Sequence, residues 1–268
     1  MNRNQLITSI RHKESCLCVG LDTDPVKLPN GLGDDPDGMF KFNKAIIEAT
    51  SELAVAYKLN LAFYEAAGEQ GWIQFRKTVD LLNRLGLFVI ADAKRGDIGN
   101  TAAQYAKTFY ETYDCDAVTV NPYMGTDAIT PFIQYNGKWV ITLGLTSNAG
   151  AADIQMLQTA SGEPVFAEAM RKLVRIGSPD NHMFVVGATQ EAYFHQIRSI
   201  APEHFMLVPG IGAQGGRIEA LAQLANRHTG LLVNASRSII YASNGSDYAE
   251  CANLSARKIR DELRPLIR

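Results

Sequence analysis

The chain has 268 residues, 46% hydrophobic and 20% charged, an ordinary globular composition that argues against disorder. A net charge of −2 offers no basic footprint for nucleic acid, and no apolar run approaches membrane-spanning length. The four cysteines (Cys16, Cys18, Cys115, Cys251) contain no CxxC and the five histidines are scattered, so neither a disulfide framework nor a Cys/His metal site is expected.

Met1 to His12 is polar and periodic and does not read as a leader peptide; Arg3 to Lys13 reads as a short helix. Leu17 to Leu21 is the first buried strand and ends in Asp22-Thr23-Asp24-Pro25. After a Gly/Pro/Asp-rich loop, Phe40, Phe42, Ile46 and Ile47 recur at helical spacing. Ala54 to Tyr57 is the second strand, ending at Lys58-Leu59-Asn60, and Glu69 to Leu85 is a helix stopped by Gly86. Leu87 to Ala91 opens the third strand, which turns abruptly charged at Asp92-Ala93-Lys94-Arg95-Gly96-Asp97. Asn100 or Thr101 is expected to cap the helix from Ala102 to Tyr113.

The same alternation continues. Ala117 to Val120 is followed by a helix through Ile129 and Phe132, and Trp139 to Leu143 ends at Thr146-Ser147-Asn148. An insertion, Ala149 to Glu163, precedes a helix from Val165 to Arg175. Phe184 to Gly187 leads to a helix from Glu191 to Ile200. Phe205 to Val208 ends at Pro209-Gly210-Ile211-Gly212, Leu231 to Val233 ends at Asn234-Ala235-Ser236-Arg237, and Ser246 to Leu263 closes the chain as a helix. Short continuous apolar runs, rather than alternating ones, are expected of strands covered on both faces. Eight of them, each followed by a helical segment, is the count of a (β/α)8 TIM barrel, an α/β fold, here as one domain over residues 1–268.

In such a barrel the carboxyl ends of the strands form the active face. Asp22, Lys58, Asp92, Lys94, Ser147 and Arg237 all fall there. Asp92 and Lys94, two apart in a strand, point the same way, which is a costly arrangement for a merely structural turn. Flanked by carboxylates, Lys94 is suited to giving a proton rather than to forming a Schiff base. Gly210-Ile211-Gly212-Ala213-Gln214-Gly215 fits GxGxxG, which keeps a doubly wound dinucleotide fold as the competing architecture. Its place after the seventh strand suits a barrel better, where phosphate sites recur in the loops after strands seven and eight. There the backbone amides of Gln214, Gly215 and Gly216 would cradle a phosphate and Arg237 would pair with it.

Asp92-Ala93-Lys94-Arg95-Gly96-Asp97-Ile98-Gly99-Asn100-Thr101 resembles the DxKxxDIxxT signature of orotidine 5′-phosphate decarboxylases. The resemblance extends over nearly the whole chain, through Leu21-Asp22, Lys58, Ser147, the Pro209 to Gly212 segment and Arg237. Asn-Ala-Ser-Arg at 234–237 and Gly-Ala-Gln-Gly-Gly at 212–216 resemble the longer bacterial branch; Ser236 departs from the glycine many members carry there. The resemblance implies a cofactor-free, metal-free decarboxylation of orotidine monophosphate to uridine monophosphate, a step of pyrimidine biosynthesis. Lys94 would protonate C6, with Asp92 and Asp97 beside the departing carboxylate. Asp22 and Lys58 would contact the ribose, Ser147 the pyrimidine, and Pro209, Gln214, Gly215, Gly216 and Arg237 the phosphate end. It also implies a cytoplasmic homodimer in which Asp97 and Thr101 reach the neighbouring site. Two other readings stand beside it: a metal-dependent sugar-phosphate enzyme on the same barrel, which would carry a carboxylate where this chain has Lys58, and a non-catalytic barrel that binds a phosphorylated ligand.

Overall fold

In the computed structural model, residues 1–211 and 216–268 are described. Eight parallel strands, β1 (Leu17–Gly20), β2 (Ala56–Asn60), β3 (Phe88–Arg95), β4 (Ala117–Val120), β5 (Trp139–Leu145), β6 (His182–Val186), β7 (Phe205–Pro209) and β8 (Leu231–Ala235), pair in chain order and close through β1 and β8. The barrel expected from the eight apolar runs is therefore present, and the doubly wound alternative is excluded by that closure. Almost every strand residue is buried, which is why the runs lack alternation: one face meets the helices and the other the barrel interior.

Two apolar clusters result. The outer one lies between strands and helices; the inner one holds Cys18, Ile90, Ile141, Met183, Phe205 and Leu232. Helix α1 (Arg3–Lys13) adds Leu6, Ile7 and Ile10 to the inner cluster and so seals the end of the barrel away from the strands' carboxyl ends. Each such side chain contributes roughly 1.5–3 kcal/mol on burial. The helix is fixed at its start by an Asn2/Gln5 capping box, and the Met1 carbonyl accepts a 2.9 Å hydrogen bond from the Trp139 indole.

The connections differ from expectation where local propensity is weak. The helices α2 (Gly38–Thr50), α3 (Leu61–Ala66), α4 (Gly68–Arg84) and α5 (Gly99–Lys107) follow β1 to β3, and α3 is an addition that no apolar periodicity announces. Helix α5 begins at Gly99, with Ile98 at its N-cap and no side-chain cap, so neither Asn100 nor Thr101 plays the expected part. After β4 there are two 3-10 turns and the single turn α6 (Thr130–Ile133). The insertion after β5 carries α7 (Ala151–Ile154), then α8 (Val165–Leu173) and, after β6, α9 (Phe194–Ile200). A 3-10 turn, Glu219–Gln223, is the helical segment between β7 and β8 among the described residues. Arg237 opens the short helix α10 (Arg237–Ile240), and α11 (Tyr248–Leu263) packs on α2.

Candidate active site

Strands β2 and β3 run further than their apolar stretches, so Lys58 and Asp92 sit inside the sheet rather than in the loops beyond it. The interior face of the barrel turns polar at its mouth. Lys58 Nζ donates to Asp92 Oδ2 at 2.8 Å and to Asp22 Oδ1 at 3.4 Å, and Lys94 Nζ donates to Asp92 Oδ1 at 2.6 Å. Lys58 is 5% exposed and Asp92 8%, whereas half of the Lys94 side chain is open to the cavity. Burial by itself opposes the charge on Lys58, but the carboxylates of Asp92 and Asp22 outweigh it and hold its pKa above the ordinary value. Burial likewise opposes the Asp92 carboxylate, and the two ammoniums outweigh it, holding the pKa below the usual range. Asp92 is thus a fixed anion clasped between two cations.

A bulge aims Lys94. The register between β3 and β4 shifts between Ala91 and Arg95, and Lys94 adopts a left-handed conformation with φ of 45°. A non-glycine residue there stores about 1–3 kcal/mol of strain. Thr119 of β4, fully buried, supports the bulge: its Oγ1 accepts from the Lys94 backbone N–H at 2.9 Å and donates to Asp92 Oδ1 at 2.9 Å. Arg95 leaves on the opposite side, pairs with Glu65, and lies over the rings of Tyr105 and Phe109, tying the end of β3 to α3 and α5.

Above this array lies a cavity of about 500 Å3, within the range of small-ligand sites. Asp22, Asn60, Lys58, Asp92 and Lys94 line one side; Leu143, Val185 and Leu207 give an apolar wall opposite. Ser147, Pro209 and Arg237 also line it. Arg237 is exposed and has no ion-pair partner among the described residues. Ser147 is pressed against Gly187, where an added Cβ would come within 2.7 Å of the Ser147 backbone, so the end of β6 must be glycine. Ser236 is accommodated in a related way: its Oγ donates to the Gly20 carbonyl at 2.9 Å, and a Cβ on Gly20 would lie 2.7 Å from the Ser236 Cβ.

Some expected residues stand elsewhere. Asp97 and Thr101 do not line the cavity; Asp97 Oδ1 accepts from the Ile98 backbone N–H at 2.8 Å, and Thr101 is exposed on α5. Gln214 and Gly215 lie outside the described residues. Gly216 is described, and its N–H donates to the Gly210 carbonyl at 3.2 Å. Four residues at the site escaped the sequence reading of roles. Thr119 looked like any β-branched strand residue, and Gln155 lay in an insertion without a pattern. Asn60 and Asn234 gave the better signal, since each ends an apolar run just as Asp92 does. Asn234 is 8% exposed, lines the cavity, and its Oδ1 has no partner among the described residues. No trio of His, Cys, Asp or Glu among the described residues is placed to hold a metal ion.

The array presents one buried ammonium, Lys58, and one half-open ammonium, Lys94, to an anionic ligand. Comparison with known proteins specifies the chemistry. Residues 15–251 match the family described as orotidine 5′-phosphate decarboxylase / HUMPS. An orotidine 5′-phosphate decarboxylase of Bacteroides fragilis is 51% identical over 266 residues, covering 98% of this chain and 97% of that one. One of Phocaeicola vulgatus is 51% identical over 270 residues, covering 100% and 99%. The structure of Leishmania donovani OMP decarboxylase matches with a TM-score of 0.82 at 32% identity, over 99% of each chain. With the family matched over residues 15–251 and relatives of that name about half identical over the whole chain, the chain belongs to the orotidine 5′-phosphate decarboxylase / HUMPS family.

Proposed function

We propose that Lys94 is the proton donor in the decarboxylation of orotidine 5′-monophosphate to uridine 5′-monophosphate, the activity of the family. The C6–carboxylate bond breaks, its electron pair stays on C6, carbon dioxide leaves, and the Lys94 ammonium gives C6 a proton; solvent then returns one to the amine. The observation that carries this is the Lys58–Asp92–Lys94 array, in which Asp92 is held anionic at the cavity floor and Lys94 alone is half open above it. Asp92 Oδ1 is occupied by Lys94 and Thr119, and Oδ2 by Lys58, so it has little left with which to bind a substrate. Its part is to hold the lysines and to repel the departing carboxylate. Asp22 and Lys58 face the ribose, Ser147 the pyrimidine, and Pro209, Gln214, Gly215, Gly216 and Arg237 the phosphate. No cofactor enters this scheme, and the whole chain acts as one barrel domain. Free cysteines, three of them buried, suit the reducing cytoplasm.

The active form proposed is a homodimer to which each chain lends Asp97 and Thr101. Neither residue lines the cavity of its own chain. Exposed apolar side chains accompany them: Ile98 is 49% exposed, and Tyr123 and Met124, in the loop after the neighbouring strand, are 80% and 48% exposed. Complementation tests it. Lys94→Ala and Asp97→Ala dimers are each inactive; in a hybrid, one site pairs an intact Lys94 with an intact Asp97. Random reassembly makes half the dimers hybrids, each with one good site in two, so about a quarter of wild-type activity returns. Verified hybrids no more active than their parents would place Asp97 in its own chain's site.

A further inference from the structure

We infer that Gln155, from the insertion after β5, is a positioning residue that fixes the Thr146-Ser147 wall against the pyrimidine. The inference rests on the reading of Ser147 as the pyrimidine contact. Gln155 lines the cavity, yet both ends of its amide are turned onto Thr146: the Thr146 N–H donates to Gln155 Oε1 at 2.8 Å, and Gln155 Nε2 donates to Thr146 Oγ1 at 2.8 Å. The remaining groups of Thr146 are also held. Its hydroxyl donates to Asn148 Oδ1 at 2.6 Å, and its carbonyl accepts from Gln190 Nε2 at 2.6 Å. With every polar group of Thr146 engaged, the next residue has little rotational freedom, and Gly187 closes on its backbone from the other side.

Gln155 is itself anchored. Its N–H donates to Ala151 O at 2.9 Å, and its carbonyl accepts from Phe166 at the start of α8, also at 2.9 Å. The rest of the insertion folds back as a small hairpin. Gln158 bridges Pro164, Thr159 and Glu163 share backbone and side-chain bonds, and Glu163 holds Arg171 and Gln196. The insertion is thus a bonded brace between α8 and the Ser147 wall. Its contribution to the site is the amide of Gln155, which orients the wall without being spent on the ligand.

The test compares two inhibitors of the intact enzyme, uridine monophosphate and ribose 5-phosphate, which lacks the base. Gln155→Met keeps the length and loses both bonds. It weakens uridine monophosphate by about tenfold, the scale of one or two neutral hydrogen bonds, and leaves ribose 5-phosphate within twofold. Gln155→Glu, which still accepts from the Thr146 N–H, recovers part of the loss. Thr146→Val reproduces the selective loss, and the double variant Gln155→Met/Thr146→Val adds little to it. Equal weakening of both inhibitors, or no weakening of either, overturns the inference. Ser147→Ala separates it from the reading beneath: if that variant binds uridine monophosphate normally while Gln155→Met does not, the brace stands and the assignment of Ser147 falls.

Discussion

Replacing Thr119 with valine changes almost no volume and removes one hydroxyl, yet it should damage both stability and turnover. Two hydrogen bonds of 2.9 Å disappear: the one given to Asp92 and the one taken from the backbone of Lys94. A bond to a charged acceptor is worth about 1.5–3 kcal/mol. Asp92 keeps both lysines, so its own loss falls at the lower end of that range. The Lys94 amide loses its acceptor within a left-handed bulge that already stores strain, and the bulge relaxes. We expect about 2–3 kcal/mol less stability by urea unfolding. A displacement of about 1 Å at the proton donor costs on the order of 10²-fold in rate, so kcat should fall ten- to a hundredfold with KM little changed. Thr119→Ser, which keeps the hydroxyl, serves as the control and should stay within a few-fold of wild type. Thr119→Val with kcat within threefold and an unchanged unfolding midpoint would show that the bulge, and the aim of Lys94, do not depend on this residue.

Lys94→Ala should lower kcat by at least about 10²- to 10⁴-fold, the range of a general acid, while uridine monophosphate still binds by calorimetry. Residual turnover close to wild type would move the donor role to Lys58 or water. Arg237→Ala should lower kcat/KM by roughly 10²- to 10³-fold although it lies past the end of β8, away from Lys94 and Asp92; orotidine reacting as well as its monophosphate in the wild type would refute the phosphate reading. Activity should survive exhaustive chelation with EDTA, and activity that vanished and returned with magnesium would contradict the cofactor-free scheme. Acid should destabilise the fold through His182 and His204. Burial depresses their pKa values from 6.5 to about 3 and about 4, helped by the neighbouring His204 and by Arg198 and Arg3 respectively. Below pH 6.5 the unfolded chain takes up protons that the folded chain refuses, so stability falls toward pH 4 by up to about 1.4 kcal/mol per pH unit per histidine, and no such loss occurs above neutrality. In denaturant titrations, His204→Leu should flatten that slope; an unaltered slope would show that His204 is not buried neutral.

The barrel was legible because its physics is repetitive. Parallel strands covered on both faces must be continuous apolar runs, and eight such runs, with helical segments between them, admit few closures. The charged residues were legible for a related reason: Asp92 or Lys58 at the end of a buried run is too costly without a purpose. Sequence placed the ends of the apolar runs too early in β5, β7 and β8, where apolarity was read as the limit of the strand, and one residue too late in β1 and β6. Strand β2 continues to Asn60 and β3 to Arg95, since the barrel's mouth supplies partners for inward-facing charge. Lys94 was expected to point with Asp92 by simple alternation; it does meet Asp92, but through a bulge and a left-handed residue that no local pattern encodes. Thr119 and Gln155 were invisible because their function lies in contacts outside any helical or strand spacing, 25 residues from Lys94 in the one case and nine from Thr146 in the other. The short helices α3, α6 and α10 are single turns or little more, too short to carry a periodic signal, and packing alone sets them.

The division of the cavity bears on how the rate is gained. On the side of β1, β2 and β3 the charges are fixed in place, and on the side of β5, β6 and β7 Leu143, Val185 and Leu207 offer no hydrogen bond. A substrate carboxylate placed beside Asp92 therefore meets an anion that is already clasped by two lysines, and a wall that cannot solvate it. Like charges at about 4 Å repel by roughly 4 kcal/mol in a partly screened site, and that repulsion ends when neutral carbon dioxide forms. On the proposed assignment of Lys94, negative charge moves from the carboxylate to C6 as the bond breaks, toward its half-open ammonium. The same arrangement thus disfavours the starting charge distribution and favours the one that develops, with little reorganisation, because Thr119, Lys58 and the bulge have set the positions beforehand. On this argument the two lysines are not equivalent. Lys58, buried and bonded to two carboxylates, keeps Asp92 ionised and in place, whereas Lys94, bonded to one carboxylate and half exposed, is the cation presented to the cavity.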